Sequence, residues 1–120
     1  MSALQIAFVH SRGPYDGPFA QDGLDAAMVA AAFDQEVTLV FVDDGVYQLL
    51  PGHAPAAIGR KRADEALGHI ESLGVWRILV DRASLDLRGV AAELLNLPAK
   101  PMEAGDIARF LETQDQVFVF

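Results

Sequence analysis

The hydrophobic positions along the chain predict four strands and one brief extended piece. The run from Val37 to Val42 is apolar on both of its alternating faces, which is typical of a strand at the centre of a covered sheet. Two other apolar runs end at polar residues, His10 and Asp81, and prolines bracket the extended piece. The predicted strands span residues 4–9, 37–42, 76–80 and 116–120, and the extended piece lies between Pro98 and Pro101.

Between these strands, apolar residues recur at helical spacing. The predicted helices are Leu24–Phe33 with Asp22 as its N-cap, Gly59–Leu73 ahead of Gly74, Glu103–Thr113, and two short ones, Leu85–Gly89 and Ala91–Leu95. The loop from Ser11 to Gln21 holds two glycines and two prolines, so we expect no regular structure there. Its glycines, Gly13 and Gly17, match neither a P-loop nor a dinucleotide-binding fingerprint.

Alternation of strands and helices predicts an α/β fold with a mostly parallel sheet. Right-handed crossovers then favour a flavodoxin-like three-layer sandwich of about five strands. The 120 residues contain no linker, internal repeat or low-complexity tract, so we expect a single domain over residues 1–120.

The charge of the chain narrows its possible partners. The formal net charge is −8, from 9 basic and 17 acidic residues. Because binding to nucleic acid depends on Lys and Arg contacts with phosphates, we expect poor independent binding of RNA or DNA, and no attraction to a membrane surface. There is no apolar run of about 20 residues and no basic N-terminal segment, so we expect a cytoplasmic protein. The hydrophobic content of 52% fits either an ordinary α/β core or a surface buried against a partner.

The sequence contains no cysteine. These residues therefore form no disulfide, ligate no zinc or iron–sulfur cluster through thiolates, and carry no thiol chemistry.

Polar residues follow the predicted strands where an α/β sheet gathers its ligands. His10, Asp43, Asp44 and Asp81 come at the carboxyl ends of three strands, and we expect His10, Asp43 and Asp44 to line a cleft there. His10, Asp43 and Asp81 could hold a divalent metal or serve a small metal- or nucleotide-dependent enzyme, whereas the carboxylates could equally be helix caps or solvated loop ends.

Two other segments have alternative interpretations. Tyr47, Leu49 and Leu50 form an apolar patch that belongs either to the core or to an interface with a partner. The basic cluster of residues 60–62 is either a solvated face or a small contact with a partner. We expect no receiver-type phosphoacceptor site, which would need an acidic pair after the first strand and a lysine after the last, because the first strand ends at His10 and the sequence ends within its last strand.

The run from Asp44 to Gly52, D-G-V-Y-Q-L-L-P-G, resembles the signature of the TusC/DsrF-type subunits of the DsrE/DsrF/DsrH-like sulfur-relay family. Shorter matching pieces in the same order cover nearly the whole chain: residues 6–9, 23–26, 83–85, 88–89 and 117–120.

This resemblance implies a cytoplasmic sulfur-relay complex with DsrE/TusD-like and DsrH/TusB-like subunits, two copies of each of three kinds. Such a complex passes persulfide sulfur towards 2-thiolation of the tRNA wobble uridine, and related complexes serve dissimilatory sulfur oxidation. The resemblance places Asp81 in the register of a partner's relay cysteine. Since a carboxylate forms no persulfide, the expected role is a non-catalytic subunit without cofactor or metal, which contacts tRNA only indirectly. We expect Tyr47, Gln48, Leu49 and Leu50 to face another subunit. A homo-oligomeric module of another role stays open as well.

Overall fold

The computed structural model describes residues 3–50, 75–95 and 99–120. Its five strands form one sheet in which every pairing is parallel. They are β1 (Gln5–His10), β2 (Glu36–Phe41), β3 (Val75–Asp81), β4 (Lys100–Met102) and β5 (Gln116–Val119). Each of the predicted strands is therefore confirmed to within two residues.

Three α-helices lie in the described ranges: α1 (Phe19–Ala32), α2 (Arg82–Leu87) and α3 (Ala104–Glu112). Two 3-10 helices follow β2 and α2, at Asp43–Leu49 and Ala92–Leu94. None of the helices in these ranges is both long and apolar enough to span a bilayer. The predicted helix Gly59–Leu73, the basic cluster of residues 60–62 and two histidines, His53 and His69, lie outside the described residues.

The strand order is β4-β3-β2-β1-β5, so β5 returns to pair beside β1 at the opposite edge from β4. Right-handed crossovers then put α1 and α2 on one face of the sheet and α3 on the other. The larger apolar cluster joins Phe8, Leu39 and Ile78 of the sheet to Leu24 of α1. The smaller one joins Val9, Val40 and Leu79 to Ile107 of α3. The flavodoxin-like three-layer sandwich is therefore confirmed.

The start of α1 differs from the prediction. The helix begins at Phe19 rather than Leu24, and its N-cap is Pro18 rather than Asp22, which lies in the first turn. The Asp22 N–H donates to the Pro18 carbonyl oxygen at 2.9 Å. Proline has a fixed φ and needs no N–H at a helix start, so a Pro-rich segment begins this helix instead of excluding it.

The start of α2 also differs from the prediction. The helix begins at Arg82, three residues before the predicted Leu85, because the Asp81 side chain caps it. The expected helix Ala91–Leu95 is a single 3-10 turn.

Candidate functional site

The candidate site lies at the carboxyl ends of β1, β2 and β3. After β2, the chain turns into the 3-10 helix Asp43–Leu49, whose first residues pass over the end of β1. The Val42 N–H donates to the His10 carbonyl oxygen at 3.0 Å, and the Gly45 N–H donates to the Val42 carbonyl oxygen at 2.9 Å. A Cβ atom on Gly45 would lie 1.9 Å from the His10 carbonyl oxygen. Only glycine therefore allows this 3-10 turn to lie so close to β1.

Asp81, Ser84 and Asp43 form a hydrogen-bonded chain that joins β3 to the turn after β2. The Ser84 hydroxyl donates to Asp81 Oδ2 at 2.6 Å and accepts the Asp43 backbone N–H at 2.8 Å. The Ser84 backbone N–H also donates to Asp81 Oδ2, at 3.2 Å, which makes Asp81 the N-cap of α2. Asp43 has a φ of 50°, a left-handed conformation that Asp adopts more readily than most residues.

Arg88 closes the outer side of the same site. Its Nη2 lies 2.9 Å from Asp44 Oδ1, and its Nη1 donates to the Ser84 carbonyl oxygen at 3.2 Å. The guanidinium carbon also lies 6.0 Å from the centre of the Tyr47 ring. The carboxylate of Asp44, which follows β2, is thus paired with Arg88. The carboxylate of Asp81, the last residue of β3, accepts hydrogen bonds from Ser84.

His10 does not face this carboxylate network. Its ring is fully buried and stacks on Phe41 at 4.9 Å and on Phe120 at 6.1 Å between ring centres. Neither ring nitrogen has a hydrogen-bond partner within the described part of the chain. Burial disfavours the charged imidazolium and lowers the pKa of His10 from 6.5 to about 4. The ring is therefore neutral at physiological pH and packs like an aromatic core residue.

The expected cleft of His10, Asp43 and Asp44 thus has a different form. Asp43 joins the network through its backbone N–H and Asp44 through its carboxylate, whereas His10 contributes its backbone carbonyl group but not its ring. Among residues 3–50, 75–95 and 99–120, no group of three or more His, Asp or Glu side chains is arranged to hold a metal ion. The structure does not bring His10, Asp43 and Asp81 together as a metal site.

The four residues expected at an interface divide into two pairs. Leu49 is fully buried in the larger apolar cluster, and Gln48 is buried with its Nε2 donating to the Arg12 carbonyl oxygen at 2.9 Å. Both side chains lie in the interior of the chain, because they are on the buried side of the 3-10 helix. Tyr47 and Leu50 are half-buried and keep surface that a partner could cover.

Two residues of the network, Ser84 and Arg88, make contacts that the sequence did not predict. Ser84 has no histidine near it in sequence and lies in no nucleophile motif, yet it links Asp81 to Asp43. The signal was the Asp-x-x-Ser spacing, in which a carboxylate caps the N–H three residues later. Arg88 entered only as part of the family match, and its pairing with Asp44 spans 44 residues of sequence.

The chemistry available at this site is limited. Within the described part of the chain, the Ser84 hydroxyl donates to one carboxylate, that of Asp81, which also caps a helix, and the sequence has no thiol. The arrangement fits a site that holds three strand ends together better than one that attacks a substrate.

Comparison with known proteins identifies the family. The model of the DsrE/DsrF-like family matches residues 5–120. A Pseudomonas aeruginosa protein named Protein TusC homolog is 34% identical over 112 residues, which cover 93% of this chain and 94% of the relative. Escherichia coli Protein TusC is 33% identical over 120 residues, with 97% and 98% covered. The Intracellular sulfur oxidation protein DsrF of Allochromatium vinosum is 36% identical over 100 residues, with 82% and 74% covered.

A solved structure supports the fold independently. The crystal structure of the ychN protein from E. coli superposes with a TM-score of 0.84 at 18% identity, and covers 98% of this chain and 99% of its own. With a family model spanning nearly all of the sequence and relatives above 30% identity, the chain belongs to the DsrE/DsrF-like family.

Proposed function

We propose that this chain is a non-catalytic subunit of a cytoplasmic sulfur-relay complex that acts in 2-thiolation of the tRNA wobble uridine. The observation that carries the proposal is the near full-length similarity to proteins named TusC, combined with a sequence that has no cysteine. A sulfur relay needs thiolates that form persulfides, and no residue of this chain can form one. The sulfur-carrying thiol must then belong to another subunit.

The network at the strand ends is consistent with a structural role. Asp81, in the register of a partner's relay cysteine, caps α2 and accepts the Ser84 hydroxyl. The site is thus occupied by contacts that stabilise the chain itself. In this proposal the chain shapes the complex and supports the subunit that carries the thiol.

The proposed partners are the related DsrE/TusD-like and DsrH/TusB-like subunits, two copies of each kind. Tyr47 and Leu50 are the two members of the apolar patch with surface left to contribute to such an interface. tRNA would be contacted mainly through another subunit, because the net charge of −8 repels phosphate.

Deletion of the gene in its source organism tests the proposal, with mass spectrometry of tRNA hydrolysates as the readout. We expect a loss of wobble 2-thiouridine that the wild-type gene restores. Native mass spectrometry of the chain co-expressed with its chromosomal neighbours should show equal copies of three related subunits. An unchanged 2-thiouridine level in the deletion strain would contradict the role in tRNA thiolation.

The similarity to a protein named for intracellular sulfur oxidation favours a second candidate, a DsrF-like subunit in dissimilatory sulfur oxidation. The same deletion strain distinguishes the two functions. Loss of sulfur oxidation with normal tRNA thiolation would favour the second candidate, and the reverse would favour the first.

A further inference from the structure

An apolar groove of about 580 Å³ lies between α1 and β5, on the α1 face of the sheet. Its floor is aromatic: Phe8 stacks on Phe118 at 5.5 Å and on Phe120 at 6.4 Å between ring centres. The wall on the α1 side is formed by Ala26, Val29 and Ala30, with Asp25 at its rim. This groove lies apart from the carboxylate network and from the predicted interface at Tyr47 and Leu50.

The groove exists because β5 is an edge strand. The helix α1 packs on β1, β2 and β3, and no helix of the described ranges covers this face of β5. Phe118 is consequently 43% exposed, whereas Phe8 on the neighbouring strand is buried. A layered α/β fold normally buries such a sheet face against a helix.

The rim of the groove is apolar as well. Val29 is 58% exposed, and the exposed apolar surface of α1 continues beyond the groove to Phe33, which is 73% exposed. Val29 and Phe118 of the groove itself together expose roughly 200 Å² of largely apolar surface. A standard interface buries about 800 Å² per partner, so this patch suits one inserted helix better than a whole flat subunit face. The small Ala26 and Ala30 side chains let a second helix lie close beside α1.

The acidic residues around the groove favour a partner with basic residues. Neither α1 nor β5 contains a Lys or Arg, and α1 carries two carboxylates, Asp22 and Asp25. A second copy of this chain would bring the same carboxylates and a further net charge of −8 to the contact. Like charges across an interface disfavour association, and opposite charges favour it.

We propose that this groove binds an amphipathic helix of a partner protein, whose apolar stripe packs on Phe118 and Val29 and whose flanking Lys or Arg pairs with Asp25. The inference rests on the groove and its charge, and it stands whether or not the proposed relay function is correct.

Two synthetic helical peptides of about 15 residues, which span roughly 22 Å, test this proposal. They share one Leu stripe and differ only in flanking Lys or flanking Glu. Fluorescence anisotropy with the full-length chain should show binding of the Lys-flanked peptide at least about tenfold tighter than that of the Glu-flanked one. Val29→Glu should weaken binding of the Lys-flanked peptide by about tenfold or more. Asp25→Lys should remove the preference between the two peptides.

Leu94→Glu is the matched control. Leu94 is 59% exposed, close to the value for Val29, but it precedes β4 at the opposite edge of the sheet, so this variant should bind like the wild type. Equal affinity for both peptides, or equal binding by the Val29→Glu and Leu94→Glu variants, would overturn the proposal. A wild-type dimer in sedimentation velocity that Val29→Glu dissociates would do so too, because a second copy would then fill the groove.

Discussion

At the scale of single residues, Gly45 and His10 show how closely two strand ends approach each other. The Gly45 backbone passes the His10 carbonyl group at a distance that excludes any Cβ, and the His10 ring fills a site between two phenylalanines. Each residue leads to a prediction about stability.

Gly45→Ala should destabilise the chain by about 1–3 kcal/mol, because the new methyl group forces the 3-10 turn away from β1. Chemical denaturation followed by circular dichroism measures this change. Gly105→Ala is the matched control: Gly105 lies in α3, where an added Cβ has no neighbour closer than 4.0 Å. That substitution should stabilise the chain by about 0.4–1 kcal/mol. Equal effects of the two substitutions would contradict the close approach at Gly45.

Stability should fall with decreasing pH in a way that depends on His10. The pKa of His10 is about 4 in the folded chain and 6.5 when exposed, so between these values the unfolded chain binds a proton that the folded chain does not. The contribution of the neutral ring is complete above pH 6.5 and is lost as the pH falls to 4. A shift of this size corresponds to about 3 kcal/mol.

The His10→Phe variant, which keeps an aromatic ring in the stack, isolates this effect. Urea denaturation of both proteins at several pH values between 4 and 7.5 gives the difference in free energy of unfolding. We expect the wild type to lose more stability than the variant over this range. Parallel pH dependence of the two proteins would show that His10 titrates normally.

At the scale of secondary-structure elements, α2 and the 3-10 turn after β2 are held together by one serine and one carboxylate. Ser84 is buried, and its hydroxyl accepts the Asp43 N–H. Asp81 accepts the Ser84 N–H and so caps the start of α2. The position that the resemblance assigns to a partner's relay cysteine is thus part of a helix cap in this chain.

Asp81→Ala should destabilise the chain by about 0.5–2 kcal/mol, because the cap of α2 is lost and the Ser84 hydroxyl loses its acceptor. Asp81→Asn should cost less, since its amide oxygen can still accept the Ser84 N–H. Thermal unfolding at pH 7 measures both changes. Thr113→Ala is the control, because it removes an exposed hydrogen bond to the Phe110 carbonyl oxygen and should be close to neutral. Losses in both Asp81 variants no larger than that of Thr113→Ala would mean that the cap contributes little.

At the scale of the whole molecule, the net charge leads to an expectation about tRNA binding. The charge of −8 is spread over a chain that has only two lysines. With 9 basic residues against 17 acidic ones, we expect little release of counterions from the phosphates, which supplies most non-specific affinity.

The isolated chain should therefore bind tRNA with a Kd weaker than about 10⁻⁴ M at physiological salt. Fluorescence anisotropy with a labelled tRNA provides the measurement, and a strongly basic protein of similar size serves as the positive control. Micromolar affinity that falls steeply with added salt would contradict an indirect role in tRNA recognition.

The sequence by itself determined the order and type of most elements, the central position of β2 and the lack of thiol chemistry. These properties follow from local periodicity and from composition, which can be read from the sequence without knowing which distant segments are in contact. The family was also recognisable from the run Asp44–Gly52. The early start of α1 was missed, since proline at a helix N-terminus resembles proline in a loop until the helix is seen.

Only the tertiary structure decided which apolar and polar residues are covered. Phe41 and Phe118 are similar in sequence context, yet Phe41 is fully buried on a central strand and Phe118 is 43% exposed on the edge strand β5. Leu49 and His10 are buried for the same reason, because residues distant in sequence fold over them. The exposure of a side chain depends on the order of the strands in the sheet and on the crossovers between them. Both bring together segments that are far apart in the sequence, so local patterns do not reveal these contacts.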